Sequence, residues 1–469
     1  VAVRLLHYSD LERAFDDPAH AARVAAVLAE QRGSHTLVLG TGDNTAPSVL
    51  GVESNGRQAL DFFNAVGTDF ETFGNHDFDH GLDATRELVR DAPNKWLTAN
   101  VFDGDGRRFG DPHTAPWVVT DVDGTHVGLV GVTTATTPVS NPHATSVTIS
   151  DPAAAATEAI TDLREAETAV EFVVVLAHVG DASLANAVDA DVVLDGHCHD
   201  PVVSRHDGTC YVRTGDGGTQ LTEVRLTADA DPAVERHAVA DAAVTPNESL
   251  EQALSTRIAA TGLDEVVTRV DTPIERDTAA VNCAESPLGN AVADAIRWAT
   301  DADTAVVPAG AFRPGPPLFG EVTAFDLRRV APFDDEFRVV TCTGADLRAT
   351  VRDLSLVDID ADVPAACFGH VSGMHVVWDD DRTAVRDLRV DGDPVTPDEE
   401  YTLATVAYFL RTNRRLTALD ASDAVSTYDG EHPLVAYARF VGLDPEVEGR
   451  IERPTFTEHT PGQSNDQPD

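Results

Sequence analysis

Five short segments hold side chains that suit metal chemistry: Ser9-Asp10-Leu11-Glu12, Gly42-Asp43-Asn44, Gly74-Asn75-His76-Asp77-Phe78-Asp79, Ala177-His178-Val179 and Gly196-His197-Cys198-His199. Together they offer carboxylates, an amide and several imidazoles, a mixed nitrogen and oxygen set that suits zinc, manganese, iron or cobalt. Each alone has a plainer reading. An Asp after a strand is usually a turn former or helix cap, a buried His is more often a satisfied core group, and Gly-Asn-His-Asp fits a loop. The combination argues for more, because each segment stands at the end of an apolar run.

Those runs are Val1–His7, Thr36–Gly42, Asp69–Phe73, Val127–Thr133, Phe172–Ala177 and Val192–Asp195, short and rich in Val, Leu and Phe. Helical patterns lie between several of them. One has Asp17 as N-cap, Pro18 at the first helical position and Gly33 as a stop; others span roughly Gly56–Val66 and Pro152–Glu165. Alternation of this kind reads as α/β layers. In open α/β sheets ligands gather outside the carboxyl ends of the strands, so side chains distant in sequence converge on one edge.

The pattern divides the chain into residues 1–226, an acid- and Ala-rich connection with a helix over 227–265, a second α/β unit over 266–455, and a polar tail over 456–469 expected to be disordered. The second unit holds a helix after Ser286 and strands at Thr304–Val307, Phe337–Thr341, Met374–Trp378 and Tyr401–Val406.

Charge weighs against one class of function. Asp plus Glu total 79 against 34 Lys plus Arg, a formal net of −45, and Lys95 is the sole lysine. A scattered acidic surface argues against nucleic-acid binding through a basic face and reads as adaptation to high salt. The five cysteines, Cys198, Cys210, Cys283, Cys342 and Cys367, form no CxxC pair. That pattern points to a reducing compartment without a disulfide framework. No apolar run reaches membrane-spanning length. The start shows neither a basic n-region nor a cleavage site, so the expectation is a cytoplasmic protein.

The order of the five segments resembles the calcineurin-like metallophosphoesterases. It is more closely similar to the bacterial and archaeal 5′-nucleotidase family in a haloarchaeal form, whose GNHEFD segment is echoed at Gly74–Asp79. The likeness extends to Glu285–Ala295, similar to that family's E-x-x-x-G-N-x-x-x-D-A helix start, and to Ala309-Gly310-Ala311-Phe312-Arg313, similar to its G-G-G-I-R loop. Ala331-Pro332-Phe333 and Tyr408-Phe409-Leu410 fall where the family supplies aromatics for the base. The resemblance implies an N-terminal four-layer α/β/β/α metallophosphoesterase domain and a C-terminal α/β substrate-binding domain. It further implies two divalent ions of the manganese, zinc or cobalt type. One would be held by Asp10, Glu12, Asp43 and His199, the other by Asp43, Asn75, His178 and His197. His76 and Asp79 would form the catalytic dyad; Arg313, Phe333 and Phe409 would bind substrate.

The chain departs from the family at Glu12, at Pro308 with Asn282, and over Thr412–Arg415. Glu12 stands where the family has histidine; either this carboxylate ligates and favours a harder ion such as manganese, or it stays outside the shell. Pro308 replaces an asparagine before the Gly-rich loop, and Asn282 an upstream arginine. Thr412-Asn413-Arg414-Arg415 replaces N-G-G-D, whose Asp usually contacts ribose. Arg411, Arg414 and Arg415 either bind extra phosphates or serve as surface ion-pair partners. The expected reaction is release of phosphate from nucleoside 5′-monophosphates by metal-activated water. The alternatives are hydrolysis of a 2′,3′-cyclic nucleotide, a nucleotide sugar or another phosphomonoester, and a non-catalytic binding protein on the same fold.

Overall fold

The computed structural model describes residues 2–166, 168–277, 281, 284–333, 335–355, 369–378, 384–412, 418–419 and 424–452. The expectations placed on Asn282, Asn413, Arg414, Arg415 and the 456–469 tail fall outside the described residues. The chain forms two compact units, Val1–Glu265 with Thr323–Asp334, and Val266–Val322 with Asp335–Asp469.

In the first unit, a seven-stranded sheet runs in the order Ala230–Ala238, Gln220–Thr227, Val3–Tyr8, Thr36–Gly40, Phe70–Thr72, Lys95–Leu97 and Thr114–Ala115. Val3–Tyr8, Thr36–Gly40 and Phe70–Thr72 are parallel to one another. A six-stranded sheet runs in the order Val202–His206, Thr209–Arg213, Val192–Asp195, Phe172–His178, Thr125–Thr133 and Trp117–Val122. Strand side chains alternate between faces, and the layers follow from that alternation. Val3 and Leu5 join Val174 and Leu176 in an apolar layer between the sheets. Leu6 and Tyr8 face the other way, into a layer shared with helices Pro18–Gln31 and Gln58–Val66. Val173, Val175 and Ala177 face helix Pro152–Arg164. The result is helix, sheet, sheet, helix.

The helices start where their caps dictate. The Asp17 side chain accepts from His20 N at 3.1 Å ahead of Pro18, satisfying one of the donors a helix start leaves open. The helix then buries Ala21, Val24, Ala25 and Leu28 on one stripe.

Residues 227–265, expected to connect the units, are built into the first one. Ala230–Ala238 pairs antiparallel with Gln220–Thr227 as an edge strand, and helix Glu248–Thr261 packs Leu250 and Leu254 into the apolar layer beneath the first sheet. An edge strand wetted on one side needs few apolar residues, which is why this stretch reads as polar. Thr323–Asp334 also belongs to the first unit, with Phe325 in the same layer.

The second unit is α/β. A five-stranded sheet runs in the order Gly369–Ser372, Thr304–Pro308, Glu400–Val406, Phe337–Thr343 and Ala424–Thr427, and helix Pro287–Thr300 is capped by Ser286, whose side chain accepts from Gly289 N at 3.0 Å. Among the described residues no helix is long and apolar enough to cross a membrane.

Candidate metal centre

The strand ends of the first unit bring the five segments together. Asp10 follows Val3–Tyr8, Asp43 follows Thr36–Gly40, Asn75 and His76 follow Phe70–Thr72, His178 ends Phe172–His178, and His197 follows Val192–Asp195. Backbone hydrogen bonds stitch the first two loops, Asp10 N to Gly42 O at 3.0 Å and Glu12 N to Asp43 O at 3.1 Å. Leu11 N adds a bond to Asn44 Oδ1 at 3.1 Å. Asp77 organises the next pair of loops. Its Oδ2 accepts from Asp43 N at 3.0 Å and Gly74 N at 2.7 Å, and its Oδ1 accepts from Thr45 Oγ1 at 2.7 Å.

The backbone is held in uncommon conformations here. Asp10, Glu12, Asp43 and His197 have φ of 51°, 43°, 52° and 73°, the left-handed region that costs a non-glycine residue ~1–2 kcal/mol. Such strain persists where surrounding structure over-determines it, often at functional sites. Gly74 is required by close approach, since a Cβ there would strike the Asp43 carboxylate.

Two donor clusters result. Asp43, His178 and His197 present ligand atoms within 4.8 Å of one another, and so do Asp10, Glu12 and His199. Asp10, Glu12 and Asp43 are 1–2 % exposed. Three buried carboxylates side by side are costly unless positive charge offsets them. Buried Asn75 Oδ1 and His178 Nε2 have no hydrogen-bond partner among the described residues. His178 Nδ1 lies 2.7 Å from the Thr41 carbonyl, an acceptor only, so Nδ1 carries the proton. Nε2 faces Asp43 Oδ2 at 3.1 Å, so an ion that displaces the proton there would meet the ring nitrogen a metal-binding imidazole uses. Orphaned donor atoms, clustered acids and a fixed imidazole fit divalent cations.

The electrostatics agree. Burial raises the Asp10 carboxyl to about 7 despite His178 and His199 nearby. Burial, and then His178, holds His197 at about 3, so this imidazole stays neutral. Burial works to lower His178, but Asp43 and Asp10 outweigh it and raise it to about 10. In the same way Glu12 and Asp10 lift His199 against burial to about 9. Acids this crowded draw protons onto their neighbours, and cations bound among them take over that role.

Beside the clusters, His76 Nδ1 lies 2.9 Å from Asp79 Oδ2, and His76 N donates to Asp43 Oδ1 at 2.7 Å. Burial opposes protonation of His76, yet Asp79 and Asp43 raise it to about 9. The Phe333 ring centre is 6.1 Å from that of His76, so Thr323–Asp334 supplies an aromatic to the first unit's own site.

In the second unit, Arg313 is half-buried after the Ala309–Ala311 turn, with Nη1 donating to Gly310 O at 3.0 Å. Phe409 is 2 % exposed in that unit's apolar core, whereas its neighbour Tyr408 is 36 % exposed.

Sequence reasoning missed three contributors. Arg13 Nη1 donates to Glu12 Oε2 at 3.0 Å and its Nη2 to Asp216 Oδ2 at 2.7 Å. Asp216 faces His199 Nδ1 at 3.7 Å. Asn141 donates to Asp79 Oδ1 at 2.7 Å. None of the three lies in a segment with a spacing signal.

Residues 266–421 match the family model described as the 5′-nucleotidase C-terminal domain. Over 430 residues the chain is 26 % identical to endonuclease YhcR of Bacillus subtilis, covering 83 % of this chain and 34 % of that protein. Over 403 residues it is 24 % identical to the trifunctional nucleotide phosphoesterase YfkN of the same organism, covering 74 % of this chain and 27 % of that one. The chain thus spans about a third or less of the length of these curated relatives. The crystal structure of a 5′-nucleotidase precursor from Thermus thermophilus superposes with a TM-score of 0.82 at 21 % identity, over 97 % of this chain and 99 % of that one.

Proposed function

Because the chain belongs to the 5′-nucleotidase family, a metallophosphoesterase unit with the family's C-terminal domain, we propose that it is a dinuclear-metal phosphohydrolase releasing phosphate from nucleoside 5′-monophosphates. The observation that carries this reading is the pair of donor clusters, Asp43-His178-His197 and Asp10-Glu12-His199, with the His76–Asp79 pair beside them. Asp10, Glu12, Asp43 and His199 would hold one ion, and Asp43, Asn75, His178 and His197 the other. Two divalent ions, when bound, supply Lewis-acid stabilisation of phosphate oxygens and acidify water at neutral pH.

The chain's own residues do the rest. Asp79 accepts from His76 Nδ1 and so aims Nε2 outward, where it donates a proton to the leaving oxygen. Phosphoryl transfer asks mainly for positioning and charge neutralisation, and this arrangement has no need of a covalent nucleophile. The Phe333 ring beside His76 offers an apolar face for a base. Arg313 keeps its assignment to substrate on the family likeness.

Pro308 favours a second reading. It ends strand Thr304–Pro308 where the family has asparagine, and its ring offers substrate no hydrogen bond. A cyclic nucleotide, nucleotide sugar or simpler monoester therefore stands as the alternative. A panel of AMP, 2′,3′-cyclic AMP, UDP-glucose and p-nitrophenyl phosphate, run with Mn²⁺, Zn²⁺ or Co²⁺ in molar KCl, separates the two. AMP is expected to turn over fastest, chelation to abolish turnover, and His76→Ala to lower kcat by roughly 10²–10⁴-fold. Phosphate release that survives chelation would defeat the proposal.

A further inference from the structure

Two short turns, Thr137–Ser140 and Pro142–Ala144, meet at Asn141, which is 4 % exposed. Its side chain is fully committed. Oδ1 accepts from His143 N at 2.9 Å, capping the second turn, while Nδ2 donates to Asp79 Oδ1 and to the Asn75 carbonyl, both at 2.7 Å. One amide therefore touches the partner of His76 and the backbone of a candidate ligand.

We infer that Asn141 is a positioning residue for the His76–Asp79 pair, fixing which oxygen of Asp79 faces the imidazole. The inference rests on the dyad reading given above. A carboxylate has two equivalent oxygens and rotates freely unless both are held. Here Oδ2 meets His76 Nδ1 and Oδ1 meets Asn141, so rotation breaks two hydrogen bonds at once. With Asp79 locked, His76 keeps its proton on Nδ1 and directs Nε2 at the substrate. The choice of an amide has a chemical reason. An arginine or lysine would orient the carboxylate equally well, but its charge would drain the negative field that Asp79 exerts on His76. Asparagine orients without neutralising. Its second donor bond, to Asn75 O, ties the same brace to the loop that carries a candidate ligand, so dyad and ligand loop share one anchor.

Asn141→Asp separates this role from a merely structural one. Aspartate caps a turn as well as asparagine, so His143 N keeps its acceptor, but the two donor bonds are lost. Asn141→Ser, a shorter cap that falls short of Asp79, serves as the second variant. Kinetics with p-nitrophenyl phosphate and AMP at saturating Mn²⁺ should show kcat lower by roughly 10–100-fold in both, with KM within about twofold. In a His76→Ala background the further loss should be much smaller, because with Mn²⁺ saturating the residue acts mainly through the imidazole. Nitrogen-15 histidine spectra of the zinc-loaded protein, with His76 assigned through His76→Ala, should show the Nδ1–H hydrogen bond to Asp79 weakened in both variants. Wild-type kcat in both variants, or an undiminished extra loss in the His76→Ala background, overturns the inference. A His76→Ala protein with full activity instead defeats the dyad reading, and it is measured on its own.

Discussion

At Glu12 the two oxygens of one carboxylate face different partners. Oε2 accepts from Arg13 at 3.0 Å, and Oε1 lies 3.3 Å from His199 Nε2. Arg13 also holds Asp216, so the charge that glutamate adds in place of the family's histidine meets a guanidinium at the next residue. Oε1 is thereby left to point into the Asp10-Glu12-His199 cluster. We predict that Glu12→Gln weakens binding of one ion by roughly 10–100-fold and leaves the other near wild type. Glu12→His should shift preference from Mn²⁺ toward Zn²⁺. Calorimetric metal titration reads both, and Glu12→Gln binding two ions with unchanged affinity would place Glu12 outside the shell. The ligand candidates were legible because each is tied to a strand end and a local motif. Arg13, Asp216 and Asn141 were not, since they act across 203 and 62 residues of chain, a proximity that only the packed loops create. Phe409 shows the opposite limit: residue type announces an aromatic but not whether its ring faces solvent or, as here, the core.

Between strands, the same logic of buried acids can be tested by pH at a point remote from the donor clusters. Glu223, fully buried on strand Gln220–Thr227, accepts from Arg4 Nε at 2.9 Å on the neighbouring strand Val3–Tyr8, and from Arg225 Nε at 2.5 Å. Burial alone would raise this carboxyl, but Arg4 and Arg225 prevail and lower it from 4.5 to about 2. A depressed folded-state value means that the ionised form stabilises the fold. That contribution is present in full above the unfolded value of 4.5, falls away as pH drops from there, and is gone below about 2. The neutral isostere Glu223→Gln should therefore melt well below wild type at pH 7, with the gap closing as pH falls from 4.5 toward 2. A gap constant over that window would mean the ion pairs contribute nothing. Elements of this kind, central strands with apolar runs and helices with Asp17-Pro18 or Ser286-Pro287 starts, were readable in advance because local propensity and packing agree. Ala230–Ala238 and Thr323–Asp334 were not. Their place depends on partners, Gln220–Thr227 for the one and the apolar layer around Phe325 for the other, and no local signal encodes a partner.

Across the whole molecule, a net charge of −45 with a single lysine separates two kinds of acid that should respond to different ions. Exposed carboxylates repel one another through solvent, and salt screens that repulsion: the Debye length is about 10 Å at 0.1 M and about 3 Å at 1 M. Buried Asp10, Glu12 and Asp43 are beyond the reach of mobile monovalent ions and need divalent ions held at the centre. Raising KCl from 0.1 to 2 M should therefore lift Tm by about 5 °C or more, roughly what ~2 kcal/mol gives a unit of this size. Adding Mn²⁺ should lift it again by an increment that persists at every KCl concentration, because binding to the folded state adds its own stabilisation. Metal-site variants such as His178→Ala should lose the second increment and keep the first. If KCl abolished the Mn²⁺ increment in the wild-type protein, the two populations of acid would be one, and the buried cluster would be part of the solvated surface charge.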